Sequence, residues 1–343
     1  MVRVAINGFG RIGRTFFRLA FAHPDFEVVA INDLGDLENL AYLLKYDSVY
    51  GRSPFSVEVK DGSLFVDNKK INFTQEREPN KLPWKDLTID IVVESTGFFT
   101  TYEGSKLHLD AGAKRVVISA PVKGDPIAVG VTGATVLMGV NDSELKTCQI
   151  SSNASCTTNA TSPLIAILKE AIGIDKAVLN TVHAYTASQS LVDGPSKRDH
   201  RAGRAAALNI VPSTTGAAIA TTLAHTELKG KFDGIAMRVP VPVGSIVDVT
   251  FIAKRDTTVE EVNEALTKAA ADPRWKNLFA VTNEEIVSTD IIGSRVGSIA
   301  DLSFTKVVGG NLVKVLAWYD NETSYTQTLV EHVAAAAKNI ETK

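Results

Sequence analysis

Two cysteines, Cys148 and Cys156, and six histidines are all that the chain has of those residue types among its 343 residues. Two thiols cannot build a disulfide framework, and no Cys and His stand in the close pairs a structural zinc site requires, so no metal is expected. No apolar run approaches the roughly 18 residues of a membrane span. Charge of one sign is lacking as well: 36 Lys and Arg against 39 Asp and Glu leave a formal balance of −3. That excludes the broad positive field a nucleic-acid or membrane partner would need, so small or anionic ligands must be held by local groups. The opening Met1-Val2-Arg3-Val4-Ala5-Ile6-Asn7 reads as a strand rather than a signal segment, which points to a reducing, cytoplasmic home. Internal repeats and low-complexity tracts are absent from the sequence.

What is present is an ordinary globular balance, 45% apolar and 22% charged, over enough chain for two domains. From Val2 to about Ser119 short apolar runs alternate with helical stretches, the pattern of an α/β Rossmann-type doubly wound parallel sheet. Its strands are expected at Val2 to Ile6, Val28 to Ile31, Ile89 to Val93 and Arg115 to Ile118. Ser56 to Val59, Leu64 to Val66 and Lys69 to Phe73, punctuated by Asp61-Gly62 and Asp67-Asn68, read as small antiparallel strands forming an excursion outside the core sheet. After Ser152 a helix from about Thr157 to Ile172 precedes long β runs at Ala177 to Ala184, Gly234 to Val239, Ile246 to Ala253 and Asn311 to Trp318. These imply an α+β domain with a mixed or antiparallel sheet. The segment Ser188 to Arg204 is too long for a plain connection and is expected to be functional or buried in an oligomer contact. Tyr325, Leu329, Val333, Ala336 and Ile340 share one face of a closing helix.

Asn7-Gly8-Phe9-Gly10-Arg11-Ile12-Gly13 sets Gly8, Gly10 and Gly13 in G-x-G-x-x-G spacing between the first strand and the helical run Arg11 to Phe21. Such spacing gives a tight turn, close backbone approach to a pyrophosphate and tight helix packing, with the first helical amides facing the anion. Asp33, about 20 residues on at the end of the second strand, can accept from ribose hydroxyls and would repel a 2′-phosphate, favouring NAD over NADP.

Ser155-Cys156-Thr157-Thr158-Asn159 opens an amphipathic helix, where the positive end of the helix dipole favours thiolate and is expected to lower the Cys156 pKa. Cys148, in Thr147-Cys148-Gln149-Ile150, reads as a small hydrophobe in a strand. His183, at the end of an apolar strand, could serve as a base or be merely packed. Spacing alone does not bring it to Cys156.

Together with Glu94-Ser95-Thr96-Gly97, Ser119-Ala120-Pro121, His183-Ala184-Tyr185-Thr186 and Trp318-Tyr319-Asp320-Asn321-Glu322, these segments carry a signature. Over essentially its full length the chain resembles the phosphorylating glyceraldehyde-3-phosphate dehydrogenases. The resemblance implies an NAD-binding domain at residues 1–154, a catalytic domain at 155–318, a C-terminal helix at 319–343 returning to the first, and a homotetramer. It assigns the nucleophile to Cys156 and the base to His183. Substrate and phosphate groups fall on Ser155, Thr157, Thr186, Arg201, Thr215, Gly216 and Arg238. Cofactor positions fall on Gly8, Gly10, Arg11, Ile12, Asp33, Arg77, Thr96, Gly97, Ser119 and Asn321, the last approaching the nicotinamide amide. Pro195 matches the NAD-using branches, in which its loop approaches the ribose of a neighbouring subunit.

The chain departs from the family pattern at Ala160, in place of a common second cysteine, and at Thr161-Ser162, Val243-Gly244-Ser245 and Thr323-Ser324. The implied reaction is oxidation of glyceraldehyde 3-phosphate through a Cys156 thioester, released by inorganic phosphate as 1,3-bisphosphoglycerate. Alternatives are the erythrose-4-phosphate dehydrogenases, a non-enzymatic NAD-binding interaction protein, and a papain-like hydrolase, which would leave Gly8 to Gly13 with Asp33 unexplained.

Overall fold

The structure is a computed structural model that describes residues 1–196 and 199–340. The chain divides into two units, Met1–Ala154 together with the chain from Leu329, and Ser155–Thr328. Among the described residues no helix is long and apolar enough to cross a membrane.

In the first unit the order is β1 (Val2–Asn7), α1 (Arg11–Ala20), β2 (Phe26–Asn32), α2 (Leu37–Lys45), β3 (Tyr46–Asp47), β4 (Gly51–Arg52), β5 (Val57–Lys60), β6 (Ser63–Val66), β7 (Lys69–Thr74), β8 (Ile91–Glu94), α3 (Tyr102–Asp110), β9 (Arg115–Ile118), β10 (Gly133–Thr135) and β11 (Ile150–Ser152). Nine strands form one sheet in the order β10-β11-β9-β8-β1-β2-β7-β6-β5. Pairing is parallel from β10 to β7. Val4, Ala5 and Ile6 are completely buried, which is why the central strand reads as a continuous apolar run rather than an alternation. From β1 the chain passes through α1 to β2 on one side and later returns as β8 on the other, so a crevice opens at the carboxyl ends of β1 and β8.

One expectation is corrected here: the three small strands are not outside the core sheet. β7 pairs parallel with β2, Ala30 opposite Asn72 and Ile31 opposite Phe73, because Ile71 is buried in the same apolar cluster as Val28 and Ile31. Cys148 is also not in a strand. It precedes β11, with its N–H bonded to the Glu144 carbonyl, and burial pushes its thiol pKa up, Glu144 adding to the effect.

The second unit contains α4 (Cys156–Ile172), β12 (Ile174–Ala184), β13 (Val211–Thr214), α5 (Ala217–Ala224), β14 (Phe232–Val239), β15 (Ser245–Ala253), α6 (Val259–Ala270), β16 (Phe279–Thr282), β17 (Ser298–Val308) and β18 (Leu312–Tyr319). Its seven-stranded sheet runs β13-β14-β12-β15-β18-β17-β16 and is mixed, with β12 parallel to β14 and antiparallel to β15. Val247, Val249 and Phe251 are buried while their neighbours along β15 are half-exposed, the alternation of a sheet with one covered face.

The last helix, α7 (Thr323–Ala337), starts later than residue 319, because β18 runs on to Tyr319 and the Asp320 carboxylate accepts from the N–H groups of Glu322 and Thr323 to start the helix. The unit boundary falls inside α7, at Leu329. Leu329, Val333 and Ala336 are buried in the cluster that holds Phe16 and Phe17. Residues 341–343 of the expected returning segment, and residues 197 and 198 of the Ser188 to Arg204 segment, lie outside the described residues.

Candidate functional site

In the first unit the glycine turn has the shape its spacing predicts. Gly8 has φ +94°, and a Cβ there would lie 2.6 Å from the Thr96 nitrogen; a Cβ on Gly13 would lie 2.1 Å from the Gly8 carbonyl oxygen. At Gly10 a Cβ would meet nothing within 4 Å, so this face of the turn is open to a ligand rather than packed. Gly10 caps α1 without a side-chain bond, and the first turn of α1 carries no acidic residue, which leaves the helix N-terminus suited to an anion.

A cavity of about 540 Å³ opens here, with Gly8, Gly10, Asp33, Arg77, Thr96 and Phe99 in its wall. Asp33 accepts from the N–H groups of Phe9 at 2.6 Å and Gly35 at 2.7 Å. Two of its roughly four acceptor positions therefore remain for ribose hydroxyls. The Arg11 side chain turns instead to Asp47, at 3.1 Å, so it is the main chain of residue 11 that stands at the turn. Ile12 is half-buried against the core. Gly97, at φ +75°, has open space where a Cβ would be, and Ser119 follows β9 with its N–H on the Glu94 carbonyl. These groups fit a dinucleotide: an open glycine turn, a helix N-terminus and a carboxylate at the end of the second strand.

Behind the turn lies a buried network that the sequence reading missed. The Trp84 indole N–H donates to His108 Nδ1 at 3.0 Å, which leaves His108 Nε2 to donate to Glu94 Oε2, also at 3.0 Å. Asn7 Nδ2 donates to the same oxygen at 2.6 Å. The other oxygen, Oε1, accepts from the Thr96 N–H at 2.8 Å and from the Thr96 hydroxyl. Four donors thus hold one fully buried carboxylate, and two of the residues involved, Asn7 and Thr96, also wall the cavity.

In the second unit Cys156 is the first residue of α4, whose N-cap is Ser155, its hydroxyl accepting from the Thr158 N–H. The Cys156 sulfur lies 3.3 Å from His183 Nε2. Sheet register supplies the third partner, for His183 on β12 stands opposite Arg238 on β14. Arg238 Nη1 is 2.6 Å from His183 Nδ1 and donates to the Ala184 carbonyl at 3.2 Å, while Nδ1 itself lies 2.6 Å from that carbonyl. A proton on Nδ1 serves the carbonyl and leaves Nε2 as an acceptor facing the thiol; a proton on Nε2 lets Nδ1 accept from Arg238.

Burial, with the nearby Arg238 charge, lowers the His183 pKa to about 3, so the ring is neutral at pH 7. The expected low thiol pKa is corrected: burial pushes Cys156 up, and Arg238 and the Thr157 hydroxyl and amide only partly oppose it. Desolvation of the half-buried thiol outweighs the helix N-terminus.

The remaining expected residues are distributed around this pair. Thr157 is buried with its hydroxyl 2.9 Å from Tyr319 OH. The Thr186 hydroxyl bonds to that of Ser188 at 2.9 Å, and Arg201 is exposed on a short helical turn, Arg201–Gly203. Gly216 caps α5, with Thr215 Oγ1 accepting from the Ala217 N–H. β13 runs antiparallel to β14, Val211 opposite Arg238 and Thr214 opposite Ile235, so Thr215 and Gly216 follow the end of β13 remote from Arg238. Asn321 Oδ1 accepts from the Gly244 N–H at 3.1 Å and the Ser245 hydroxyl at 2.9 Å, which leaves its amide N–H groups as its further donors. Ser245 Oγ also accepts from the Ala184 N–H. The departure at Val243-Gly244-Ser245 is therefore part of the site. That at Thr161-Ser162 supports α4 from behind, Ser162 Oγ lying 3.3 Å from His225.

The family model described as glyceraldehyde 3-phosphate dehydrogenase, NAD binding domain, matches residues 2–102, and that described as the C-terminal domain of the same family matches residues 155–321. The chain is 49% identical over 338 residues to glyceraldehyde-3-phosphate dehydrogenase of Geobacillus stearothermophilus, covering 98% of each chain. It is 52% identical over 334 residues to that of Thermotoga maritima, covering 96% of this chain and 98% of the relative.

Proposed function

The chain belongs to the glyceraldehyde-3-phosphate dehydrogenase family, and from that premise we propose that Cys156 is its nucleophile and His183 its base in the NAD-dependent, phosphorylating oxidation of glyceraldehyde 3-phosphate. The observation that carries the reading is the 3.3 Å approach of the Cys156 sulfur to His183 Nε2 at the start of α4. Cys156 attacks the aldehyde carbon as His183 takes the thiol proton; His183 passes that proton to the new alkoxide, giving the hemithioacetal, and takes it back from the hydroxyl as hydride departs. The Cys156 main-chain N–H, at the first position of α4, stabilises the developing oxyanion. NAD, when bound, would supply the hydride acceptor; Gly8, Gly10, Arg11, Ile12, Asp33, Arg77, Thr96, Gly97 and Ser119 of the first unit are the residues that would hold it, with Asn321 of the second assigned to its nicotinamide amide. Oxidation leaves an acyl thioester on Cys156, which inorganic phosphate displaces as the acyl phosphate.

Arg238, beside His183 in the sheet, and Arg201 supply guanidiniums for the two phosphates. Thr157, Thr186 and Ser155 add hydroxyls, and Thr215 with Gly216 adds the N-terminus of α5.

The same reading gives a cytoplasmic homotetramer. Exposed apolar side chains support self-association: Val178 and Ile235 on adjacent strands of the second sheet, and Leu191, Val192, Leu208 and Ile210 around the long segment. Sedimentation of active enzyme as a monomer would refute it.

The deciding assay is nicotinamide reduction with glyceraldehyde 3-phosphate, inorganic phosphate and either NAD or NADP, beside Cys156→Ser. Phosphate-dependent turnover with NAD, lost in the variant, is expected. Preference for erythrose 4-phosphate, or NAD binding without turnover, would overturn the substrate assignment.

A further inference from the structure

The Glu94 carboxylate is one member of a longer row. Glu94, Asn7 and Asn32 end β8, β1 and β2, and the register sets Asn7 opposite both of the others. Their side chains bond across the strand ends: Asn7 Nδ2 donates to Glu94 Oε2 at 2.6 Å, and Asn7 Oδ1 accepts from Asn32 Nδ2 at 2.7 Å. Asn32 then reaches the chain just past β7. Its Nδ2 donates to the Glu76 carbonyl at 2.8 Å, and its Oδ1 accepts from the Glu76 N–H at 2.9 Å and the Thr74 hydroxyl at 2.8 Å. The row thus crosses the carboxyl ends of the adjacent parallel strands β8, β1, β2 and β7, and Asn7, Asn32 and Glu76 all wall the cavity.

No amide in the row is free to turn over. A carboxylate only accepts, which fixes Asn7 Nδ2 toward Glu94 and Asn7 Oδ1 toward Asn32; the Glu76 N–H only donates, which fixes Asn32 Oδ1. Beyond Glu94, the Trp84 indole N–H on His108 Nδ1 places the His108 proton on Nε2, facing the carboxylate. Asn32 commits both amide protons and two acceptor positions to protein, so it has nothing left to offer a ligand although it stands in the cavity wall. Asn7, Asn32, Glu94, His108 and Trp84 are at most 4% exposed, a setting in which a lost partner is costly.

Two residues assigned to NAD hang from this row. The Glu76 carbonyl that Asn32 holds belongs to the peptide bond entering Arg77, and Glu94 Oε1 takes both the N–H and the hydroxyl of Thr96. Arg77 and Thr96 lie past the last residues of β7 and β8, strands that stand three spacings, or about 14 Å, apart. We propose that Asn32 is a positioning residue for NAD: through Asn7 and Glu94 it holds Arg77 in register with Thr96 across the cavity, and His108 with Trp84 anchors the Glu94 end of the row. Its grip on both main-chain groups of Glu76 continues in side-chain form the pairing of β2 with β7, so the ligand meets groups already in place.

The inference rests on the cavity being the NAD site, and its test reads binding: calorimetric titration of the full-length protein with NAD and with ADP-ribose, which lacks the nicotinamide, beside thermal unfolding. Asn32→Asp sets an acceptor against the Asn7 oxygen and the Glu76 carbonyl and should weaken both ligands about tenfold, while Trp84→Phe, which removes the indole N–H, should weaken them roughly threefold. Trp84→Phe reports on the row even where Asn32→Asp does not fold. Arg77→Ala should cost a smaller factor in either background than in the unaltered protein, because Arg77 is already released there; a general loss of stability would leave the factors multiplicative. Unaltered affinity in either folded variant, or multiplicative factors, would overturn the row while leaving the cavity as the NAD site. Failure of the unaltered protein to bind NAD would overturn the cofactor reading and the row together.

Discussion

Gly8 and Thr96 meet where the carboxyl ends of β1 and β8 separate, and a single added carbon on Gly8 would stand 2.6 Å from the Thr96 nitrogen. No rotation relieves that contact, because the obstacle is main chain and the residue already sits at φ +94°. Gly8→Ala should cost about 2–4 kcal/mol of stability and weaken NAD binding by at least about tenfold. Calorimetric titration of folded variant at wild-type affinity would show that the turn tolerates a side chain.

The buried carboxylate of Glu94 takes four donors. In Glu94→Gln the amide NH₂ must face either the Thr96 pair or the Asn7 and His108 pair, and buried donors are left without acceptors at about 1–3 kcal/mol each. Thermal unfolding should shift down by several degrees, and KM for NAD should rise more than kcat falls, because Asn7 and Thr96 wall the cavity. An isostructural variant of wild-type stability would show that the network does not hold the cavity wall.

Arg238 acts on both partners of the thiol pair, lowering the pKa of His183 and opposing the burial that raises that of Cys156. Arg238→Met should therefore raise both, slowing alkylation of Cys156 at neutral pH while turnover with phosphate drops by about 10²-fold or more. Alkylation at the wild-type rate in the variant would show that the guanidinium does not reach the sulfur electrostatically.

Three buried histidines set the response to acid: His183 and His332 are lowered to about 3 and His225 to about 4, desolvation leading in each case. The unfolded chain binds protons at these residues from about pH 6.5 downward, whereas the folded chain does not until the pH reaches 4 to 3. Stability is therefore full above pH 6.5 and falls as the pH drops through that window, by up to about 4 kcal/mol per pH unit once all three bind protons only on unfolding. His332→Leu should reduce the slope by about one proton, measured by urea unfolding between pH 6.5 and 4.5. An unaltered slope would show that His332 does not contribute.

The glycine turn is readable from sequence because backbone geometry permits only one residue type at Gly8 and Gly13. Cys156 and His183 are also recognisable one at a time, but their 3.3 Å separation depends on α4 packing over β12, and Arg238 joins them only through sheet register. The Glu94 network is less legible still: Trp84 and His108 are separated from Asn7 by most of the first unit, and neither residue has a local pattern that distinguishes it from core. Strands fail in the same way. β17 carries polar Ser303, Thr305 and Lys306 within its run, so its place in the sheet comes from pairing with β18, not from an apolar period. The raised pKa of Cys156 is not legible in the sequence, because a helix N-terminus is visible there and desolvation is not.

Ser245 accepts from the main chain of Ala184 and donates to Asn321, while the Ala184 carbonyl is the neighbour of the His183 ring. One hydroxyl therefore fastens the residue assigned to the nicotinamide amide to the residue beside the base. A small displacement of Asn321 would pull on the N–H side of Ala184, whose carbonyl on the other side meets the imidazole, so Ser245→Ala would loosen Asn321 and Ala184 at once.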